Sequence, residues 1–406
     1  MIAACTIVSP NYIAYARTLS ASYLAQHPGH SFYVLIVADL EPHDRRAFEG
    51  EAFTPVMLSE IGLEDLRAQG MKYDILELNT NVKPTFMKYL LKKFELEKLV
   101  YLDPDIFVYS RLTPVFEALE TANAVLTPHI TSPLLEDGKR PNEQDYLYNG
   151  TYNLGFIGVR RGEETNRILS WWERRCLDSG FSEGRTGLFV DQKWMNLAPG
   201  LFNGVSILKH PGCNMAYWNL HERILNQTAE GGYVVNADAP LCFFHFSGIE
   251  VTDPGMLSKN TDRFRLADRP DLQTIFAEYK AAVVKVKNSA AEDIPYGFDR
   301  FSDGTVVTRL ARRIYSMQQI QWGIQDPFNA AGGFALFAKR LGLVAGKEPP
   351  KKATWREFRP NDRKVEMVHR CLKMALRVLG PNRYELLMRY LAHIAVLRHQ
   401  NVFLKD

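Results

Sequence analysis

No apolar run in this sequence approaches the roughly 20 residues that a helix needs to span a bilayer. Cysteine is scarce as well: the chain has 5, widely scattered, and none stands in the C-x-x-C spacing of a metal or redox motif. We therefore expect structural thiols in a reducing, cytoplasmic compartment. The opening residues "MIAACTIVS" lack a charged segment and a small-residue cleavage site, so they predict a buried first strand rather than a signal peptide.

Glycine is missing from the stretch that follows this strand, "TIVSPNYIAYAR". A glycine-rich, basic loop at this place would cradle phosphate groups with its backbone N–H groups. Its absence argues against enzymes that hold a nucleotide in that way, nucleotidyltransferases included.

Neither sign of charge predominates overall, because 49 Lys/Arg and 46 Asp/Glu leave a formal net charge of only +3, but the charge is unevenly distributed. Residues 351–406 hold thirteen Lys/Arg and five Asp/Glu, which gives this end +8 and leaves −5 for the rest of the chain. A basic tail on a mildly acidic body predicts an anionic partner for the tail.

The tail contains two amphipathic stretches, "RKVEMVHRCLKMALRVLG" and "RYELLMRYLAHIAVLRH", with a break at Gly380 and Pro381. One interpretation is a helical hairpin that packs on the body and keeps a solvated basic face. The other is a surface that docks on the anionic inner face of the plasma membrane, where each basic residue adds about 1 kcal/mol. Nucleic acid is not expected, since no aromatic-interleaved basic patch accompanies the charge.

The first 250 residues or so alternate between strand and helix patterns. "SFYVLIVAD" is a near-continuous apolar run, typical of a parallel strand covered on both faces, and "KPTFMKYLLKKFELEK" has a helical pattern. The pattern predicts an α/β fold with an open, mostly parallel sheet, and ligands bind such sheets outside the carboxyl ends of the strands. Strand signals become rare beyond residue 257. We therefore predict a first domain at 1–260 and a mainly helical C-terminal region at 261–406.

Two carboxylates, Asp103 and Asp105, interrupt the strand-forming run "VYLDPDIFVYS". If the strand continued, both side chains would point to the same side. Two converging acids repel each other unless a cation lies between them. Short D-x-D strings are common at turns and helix caps, but this one ends a buried strand. Carboxylate oxygens at such a place suit a hard divalent ion such as Mg²⁺ or Mn²⁺.

His245 lies in the aromatic run "CFFHFSG". A lone histidine in such a run is more often a core residue whose ring nitrogens are satisfied by hydrogen bonds. A strand that ends at "HFSG" would instead present the imidazole at a strand end, with Gly248 permitting close approach of the backbone. Two carboxylates and one imidazole with open positions fit Mn²⁺ better than a structural Zn²⁺.

Six motifs then stand in the order of one known family: "TIVSPNY", "KLVYLDPD", "YNLG", "VDQKWMN", "HPGCN" and "HFSG". Over roughly residues 1 to 260 this order resembles the GT-A glycosyltransferases, whose fold is a Rossmann-like nucleotide-diphospho-sugar transferase domain. In detail it is similar to the family 8 type, which includes glycogenin and the bacterial lipopolysaccharide galactosyltransferases.

The resemblance implies the roles of the residues on the donor side. Asp103 and Asp105 match the D-x-D aspartates that hold a divalent cation against the donor diphosphate, and His245 matches the third protein ligand of that metal. The segment after the first strand matches a wall of the nucleotide pocket, which makes candidates of Thr6, Ser9, Asn11 and Tyr12. For Tyr12, simple packing at a helix start is an equal alternative.

The resemblance also implies basic and sugar-binding residues. The family carries a basic residue before D-x-D that touches the donor, and Lys83 and Lys88 compete for that role. Asn153 matches the asparagine of the family's "NSG", although Leu154 replaces the serine. The family's lysine shortly after "HFxG" is missing, and Lys259 is a substitute at a longer spacing. Asp191 and Gln192 match the "DQ" pair beside the reacting sugar. Asn214 matches the asparagine of the family's "YN", in which the tyrosine is here Cys213.

Together these matches imply a hexosyltransferase that moves a sugar from a nucleotide diphosphate donor, with a UDP-sugar favoured, to a glycan, lipid-linked glycan or protein. Because the family pattern leaves no strong protein nucleophile behind the anomeric carbon, retention of configuration is expected. Bacterial cell-envelope polysaccharide synthesis, that of lipopolysaccharide in particular, is the expected setting, and the C-terminal helices would face the acceptor or the membrane. Two alternatives stay open: a sugar-nucleotide nucleotidyltransferase and a catalytically silent GT-A-like binding module.

Two further segments are candidates for substrate contact. The polar stretch 131–149 lacks periodicity and predicts a long loop, which would be a lid over the acceptor or the donor. Aromatic and polar side chains in "MAYWNLHE" suit sugar stacking and hydroxyl binding, although aromatics in strands are more often core: Tyr217, Trp218, His221 and Glu222.

Overall fold

The structure, a computed structural model, describes residues 1–253, 255–287, 290–317, 322, 326–348 and 363–400. The chain forms two units. The first consists of Met1–Leu66 and Ile75–Gly297, and the second of Arg67–Asp74 and the chain from Phe298 onward. The boundary that the sequence predicts after residue 260 lies within the first unit.

The first unit contains fourteen strands among its described residues. Its strands are β1 (Ile2–Val8), β2 (Ser31–Ile36), β3 (Thr54–Met57), β4 (Lys98–Leu102), β5 (Ile106–Val108), β6 (Ala124–Leu126), β7 (Phe156–Arg160), β8 (Ser182–Glu183), β9 (Leu188–Phe189), β10 (Val205–Ile207), β11 (Leu225–Gln227), β12 (Tyr233–Val235), β13 (Ala239–Pro240) and β14 (Phe243–His245). The helices of the chain up to residue 297 are α1 (Ile13–Gln26), α2 (Leu66–Lys72), α3 (Ile75–Asn81), α4 (Lys83–Lys93), α5 (Thr113–Thr121), α6 (Glu143–Asn149), α7 (Glu163–Ser179), α8 (Ala198–Leu201) and α9 (Gln273–Lys285).

Seven strands form the central sheet in the order β10-β6-β7-β4-β1-β2-β3. β1 runs parallel to β2 and β4, β2 is parallel to β3, and β6 is parallel to β10. β7 runs antiparallel to both of its neighbours, β4 and β6. The predicted α/β class with a mostly parallel sheet is confirmed, with β7 as the reversed strand.

The two faces of the sheet are covered by different helices because side chains alternate along each strand. Val100 and Leu102 of β4 join a buried cluster that includes apolar residues of α1 and α5. Tyr101, between them, points to the opposite face, where the Lys83 ammonium of α4 lies 4.2 Å from the centre of its ring. Continuous apolar runs in the sequence therefore correspond to strands that are buried on both faces.

The run "VYLDPDIFVYS" is not one continuous strand. The Ile106 N–H donates to the Asp103 carbonyl at 3.0 Å, so the chain turns after β4 and continues as β5. β5 pairs in antiparallel orientation with β14, which places Ile106 opposite His245. The strand therefore does not continue, and strand periodicity does not place the two acids on one side. A turn and a separate two-stranded ribbon bring them to the imidazole.

α9 belongs to the first unit through aromatic packing. Tyr279 stacks on Phe246, with ring centres 3.9 Å apart, and Phe276 packs edge-on against Phe244 at 5.6 Å. These contacts join α9 to β14 and to the residue after it, so the core of the first unit extends past residue 260.

The stretch 131–149 is partly helical. α6 begins after Asn142, whose side chain accepts from the Asp145 N–H at 3.1 Å while the Asp145 carboxylate accepts from the Asn142 N–H. The Glu222 carboxylate holds the start of the stretch by accepting from the Thr131 N–H at 2.9 Å. The prediction of a loop over 131–149 is therefore wrong for Glu143–Asn149. That prediction relied on apolar periodicity, whereas α6 is marked in the sequence only by its capping residues.

The second unit is mainly helical, with α10 (Arg309–Met317), α11 (Gly333–Arg340) and α12 (Arg363–Ile394). The buried Arg312 guanidinium donates to the carbonyls of Gly70 and Tyr73 at 2.6 and 2.8 Å. α12 is interrupted at Gly380, where φ is 72°, as the Gly-Pro break predicts. The helical C-terminal region is confirmed over the described residues, and none of their helices is long and apolar enough to cross a membrane.

Candidate active site

A cavity of about 470 Å³ opens in the first unit, beside the segments that follow β1 and β4. This is the edge at which ligands bind in open α/β sheets. The cavity is lined by the two acids after β4, by Tyr12 after β1, by the segment that enters β7, and by residues after β9 and β14.

Asp103, Asp105 and His245 form a cluster, the acid cluster, at the wall of the cavity. One ligand atom from each lies within 4.8 Å of the others. His245 Nε2 is 2.8 Å from Asp105 Oδ1 and 3.9 Å from Asp103 Oδ2. Burial disfavours the charged imidazolium, but the negative charges of Asp105 and Asp103 outweigh burial and raise the pKa of His245.

Gly155 makes room for this cluster. A Cβ atom at this position would lie 2.4 Å from His245 Cε1 and 2.8 Å from Asp103 Oδ2, far inside van der Waals contact. The Gly155 carbonyl also accepts from the Asp103 N–H at 2.7 Å. Two carboxylates and one imidazole around such a space match the donor set of Mn²⁺ or Mg²⁺, so these residues fit a hard divalent ion.

A buried ion pair forms the floor of the cavity. Lys83 Nζ lies 2.6 Å from Asp191 Oδ2 and 4.0 Å from Asp103 Oδ1, and it donates to the Leu154 carbonyl at 2.7 Å. Burial disfavours the ammonium, but Asp191 and Asp103 outweigh it and raise the pKa of Lys83. The lysine therefore brings a fixed positive charge to within 4.0 Å of the acid cluster.

The chain around Asp191 is strained and tightly held. Val190 has φ of 43°, a left-handed conformation that is rare for a β-branched residue and is found mainly at functional sites. The Trp172 indole N–H donates to the Asp191 carbonyl at 2.9 Å. Gln192 Oε1 accepts from the Leu154 N–H at 3.0 Å, which ties this chain to the segment before β7.

A polar network lies behind the acid cluster. The Asn214 side-chain amide donates to Thr127 Oγ1 at 2.8 Å and to Asn153 Oδ1 at 3.1 Å. Asn153 also lies 3.4 Å from His129 Nε2. Burial lowers the pKa of His129 to about 4, so this ring is neutral. The network fixes Asn153 beside Gly155, and Asn153 touches the space that Gly155 leaves open.

The segment after β1 also borders the cavity. Tyr12 is 45% exposed, lines the cavity and stacks on Tyr15, with ring centres 5.0 Å apart. The Ser9 hydroxyl donates to Asn11 Oδ1 at 2.9 Å, and Thr6 is buried in β1. Tyr12 thus has an accessible aromatic face, whereas Ser9 and Asn11 bond to each other.

The two competing lysines of α4 have separate environments. Lys83 lines the cavity, whereas Lys88 forms an ion pair with Glu173 of α7 and lines a different depression. Lys259 is exposed and lines the cavity near Gly248, whose carbonyl accepts the Lys259 N–H at 3.0 Å. Although Lys259 lies farther along the chain than the family's lysine, its backbone lies next to Gly248 of "HFSG".

The residues of "MAYWNLHE" lie outside the cavity lining. Trp218 is buried and packs edge-on against the His245 ring at 5.1 Å. His221 Nε2 lies 3.3 Å from the Ser132 hydroxyl, and Glu222 binds Thr131 and Ser132. Trp218 supports the imidazole, and His221 and Glu222 hold the segment 131–132.

Sequence reasoning did not single out several side chains of the cavity. Tyr15 lies one helical turn after Tyr12, and this spacing was a usable signal. Phe189 and Ser247 stand next to motifs that were recognised, in "LFVDQ" and "HFSG". Thr80 and Asn260 carry no local signal, because the long-range fold alone brings them to the cavity.

Comparisons with known proteins place these observations among relatives. No family model matches the chain. Two uncharacterized proteins of Bacillus subtilis (strain 168) are similar to it: YfnF is 29% identical over 199 residues, which are 48% of this chain and 64% of YfnF, and YfnD is 26% identical over 310 residues, which are 74% of this chain and 93% of YfnD. The match thus spans just under two thirds of the length of YfnF.

The chain is also similar to a solved structure of the galactosyltransferase LgtC in complex with donor and acceptor sugar analogs. The TM-score is 0.40 at 18% identity, and the match covers 69% of this chain and 95% of that one.

Replacing Gly155 with alanine tests the geometry of the acid cluster. Gly155→Ala is expected to weaken Mn²⁺ binding about 10- to 100-fold, because the new methyl group displaces the imidazole and one carboxylate. Isothermal titration with MnCl₂ measures the effect, and circular dichroism checks the fold. Gly162→Ala is the matched control, because a Cβ at 162 meets nothing within 4 Å. Wild-type Mn²⁺ affinity in a folded Gly155→Ala protein would refute this description of the cluster.

Proposed function

We propose that this chain is a divalent-metal-dependent glycosyltransferase that takes its sugar from a nucleotide diphosphate donor, with a UDP-sugar favoured. The observation that carries the proposal is the meeting of Asp103, Asp105 and His245 at a cavity that also contains a buried ammonium, that of Lys83. The order of the six sequence motifs supports the same reaction class. The nucleotidyltransferase alternative lacks a comparable supporting observation.

The charges of the site suit the departure of a diphosphate. Cleavage of the bond between an anomeric carbon and a nucleoside diphosphate builds negative charge on the phosphate and positive charge on the sugar ring. A divalent ion held by Asp103, Asp105 and His245 would supply electrostatic stabilisation of the diphosphate. Lys83 adds a fixed positive charge that needs no reorganisation, since Asp191 and the Leu154 carbonyl already orient it.

Polar groups on the β7 side of the cavity suit the sugar. Asp191 and Gln192 line the cavity, and Asn153 lies next to Gly155. Asp191 is engaged by Lys83, so the proposal gives it the role of binding and orienting rather than of a free base. Transfer with retention of configuration is part of the proposal. Proton NMR of the product anomer tests it, and an inverted product would contradict it.

The proposed acceptor is a glycan or a lipid-linked glycan of the bacterial cell envelope, reached at an anionic membrane surface. α12 supports this part of the proposal, because apolar and basic side chains are exposed along it. Val378 is 77% exposed and Met374 66%. Arg370, Lys373 and Arg377 are exposed in the same half of the helix.

Metal-dependent nucleotide binding is the first test. UDP is expected to bind in the presence of Mn²⁺ and to lose about 100-fold or more in affinity without it, since the diphosphate would then meet two bare carboxylates. Isothermal titration of UDP, GDP and dTDP, each with and without MnCl₂, measures the dependence. Asp103→Asn and Asp105→Asn should abolish the effect of Mn²⁺, whereas Asp238→Asn, an exposed control, should keep it.

The outcomes separate the competing functions. A screen of nucleotide sugars for Mn²⁺-dependent donor hydrolysis follows the binding test. Metal-dependent binding without hydrolysis or transfer would support the silent binding module. Binding that ignores Mn²⁺, or no nucleotide binding, would overturn the proposed glycosyltransferase.

The two lysines of α4 allow a controlled test of the positive charge that Lys83 brings to the cavity. Lys83→Gln is expected to lower the rate of donor hydrolysis about 100-fold or more, because it removes the ammonium beside the cluster. Lys88→Gln, which removes a lysine from the same helix, should change the rate by less than about fivefold, because Lys88 pairs with Glu173 away from the cavity.

A second variant keeps this comparison informative. Lys83→Gln leaves a buried, unpaired Asp191 carboxylate and is expected to be less stable. The double variant Lys83→Gln/Asp191→Asn should recover thermal stability and still hydrolyse the donor more slowly than Asp191→Asn alone, which controls for the loss of the carboxylate. Recovery of the rate along with the stability would show that Lys83 acts only in folding.

Vesicle co-sedimentation tests the membrane surface. Reversal of three charges (Arg370→Glu, Lys373→Glu and Arg377→Glu) is expected to weaken binding to phosphatidylglycerol-containing vesicles about 100-fold, at about 1 kcal/mol for each residue. Reversal of three arginines of α7 (Arg167→Glu, Arg174→Glu and Arg175→Glu) is the matched control and should leave binding largely intact. Equal binding to neutral phosphatidylcholine vesicles, or none to either, would contradict the proposal.

A further inference from the structure

We propose that His210, Cys213 and Cys242 form a second metal site, which takes a thiophilic divalent ion, Zn²⁺. One ligand atom from each of the three lies within 4.8 Å of the others. The Cys242 thiol donates to the Pro240 carbonyl at 3.7 Å, and Cys213 and Cys242 are each about 1% exposed. The inference does not depend on the proposed glycosyl transfer, because it concerns different residues and a different kind of ion.

The turn "HPGC" sets the positions of the ligands in advance. The Cys213 N–H donates to the His210 carbonyl at 3.0 Å, which closes the turn. The Cys242 N–H donates to the Gly212 carbonyl at 2.8 Å and so holds the third ligand against the turn. A Cβ at Gly212 would lie 1.8 Å from the Pro240 carbonyl oxygen, so only glycine permits this approach.

The three side chains offer the right atoms. His210 Nδ1 accepts from the Gly212 N–H at 3.2 Å, a long hydrogen bond that ligation of an ion through this nitrogen would replace. Two thiolates and one Zn²⁺ cancel in formal charge, which makes their burial acceptable. His210 is only partly buried, so a water can complete a tetrahedral site from the solvent side.

A buried arginine supports the turn from behind. One nitrogen of the Arg223 guanidinium donates to the carbonyls of both Pro211 and Cys213 at 2.8 Å. Contacts of this kind around a metal site fix the backbone on which the ligands stand. The ligand positions therefore depend on a held turn rather than on flexible surface side chains.

Ligand softness separates this site from the acid cluster. Two sulfurs and an imidazole select Zn²⁺ over Mg²⁺ and Mn²⁺, whereas two carboxylates and an imidazole accept the harder ions. The two sites are also linked through β14. Cys242 lies just before this strand and His245 ends it, and Met215 pairs with Phe244 between them. A metal at Cys242 would thus anchor the ribbon that carries His245.

Cobalt(II) is the probe, because thiolate ligands give it a charge-transfer absorption that carboxylate ligands do not. The protein is stripped with a chelator under reducing conditions, saturated with MnCl₂, and titrated with CoCl₂. The expected result is one equivalent of thiolate-bound, tetrahedral Co²⁺ that ZnCl₂ displaces. Zinc analysis of the untreated protein and the rise in Tm on adding ZnCl₂ give independent readouts.

Variants assign the ligands. Cys213→Ser and Cys242→Ser should each lower the thiolate absorption by about half or more and together abolish it, and His210→Asn, at a partly exposed position, should weaken Co²⁺ binding about 10-fold or more without unfolding the chain. Cys176→Ser removes a buried thiol elsewhere and should leave the absorption unchanged. Asp105→Asn should also leave it unchanged, even if nucleotide binding fails.

Three outcomes would overturn the inference. The first is a stripped wild-type protein that shows no thiolate absorption with CoCl₂. The second is a Cys213–Cys242 disulfide as the native state, detected by mass spectrometry without reduction. The third is unchanged Co²⁺ affinity in His210→Asn.

Discussion

The repulsion between two carboxylates that share one end of β4 is the constraint on which the rest of the site depends. Asp103 and Asp105 stand on either side of a proline, and each remains partly exposed. Two groups converge on them from distant parts of the chain: an imidazole from β14 and an ammonium from α4. Each of these needs its own support, which the Trp218 ring gives to the imidazole and Asp191 to the ammonium.

The cost of this convergence appears in the backbone around it. Gly155 has no side chain where any other residue would collide with His245. Val190 adopts a conformation that β-branched residues avoid, and it precedes the aspartate that holds Lys83. Such strain persists only where the surrounding structure enforces it, here through the Trp172 and Gln192 hydrogen bonds.

Local sequence patterns predicted the elements whose structure is decided locally. β1, β2 and β4 were readable because strands covered on both faces are continuous apolar runs, and α1 and α4 because their apolar residues recur at helical spacing. The order of the sequence motifs also identified the three members of the acid cluster, Asp103, Asp105 and His245. The direction of β7 was not readable, since no local feature distinguishes a parallel from an antiparallel strand.

The features that sequence reasoning missed depend on tertiary contacts. Lys83 and Lys88 are equivalent in pattern, and only the packing of α4 on β4 and α7 separates them. α6 is defined by a reciprocal cap rather than by periodicity. The His210, Cys213 and Cys242 cluster escaped because its cysteines are far apart in the chain, whereas sequence spacing reveals only ligands that lie close together in it.

The reversal of β7 has a consequence for how this protein can diversify. An antiparallel strand begins at the edge where its parallel neighbours end, so Phe156 stands opposite Leu102 and the chain entering β7 lies beside Asp103. Residues 130–150 of the stretch between β6 and β7 can therefore vary in length and composition while the registers of both strands stay fixed, whereas Asn153 and Gly155 are constrained by the acid cluster. Evolution can thus exchange this insertion as a cassette and change the surface at this edge without rebuilding the sheet.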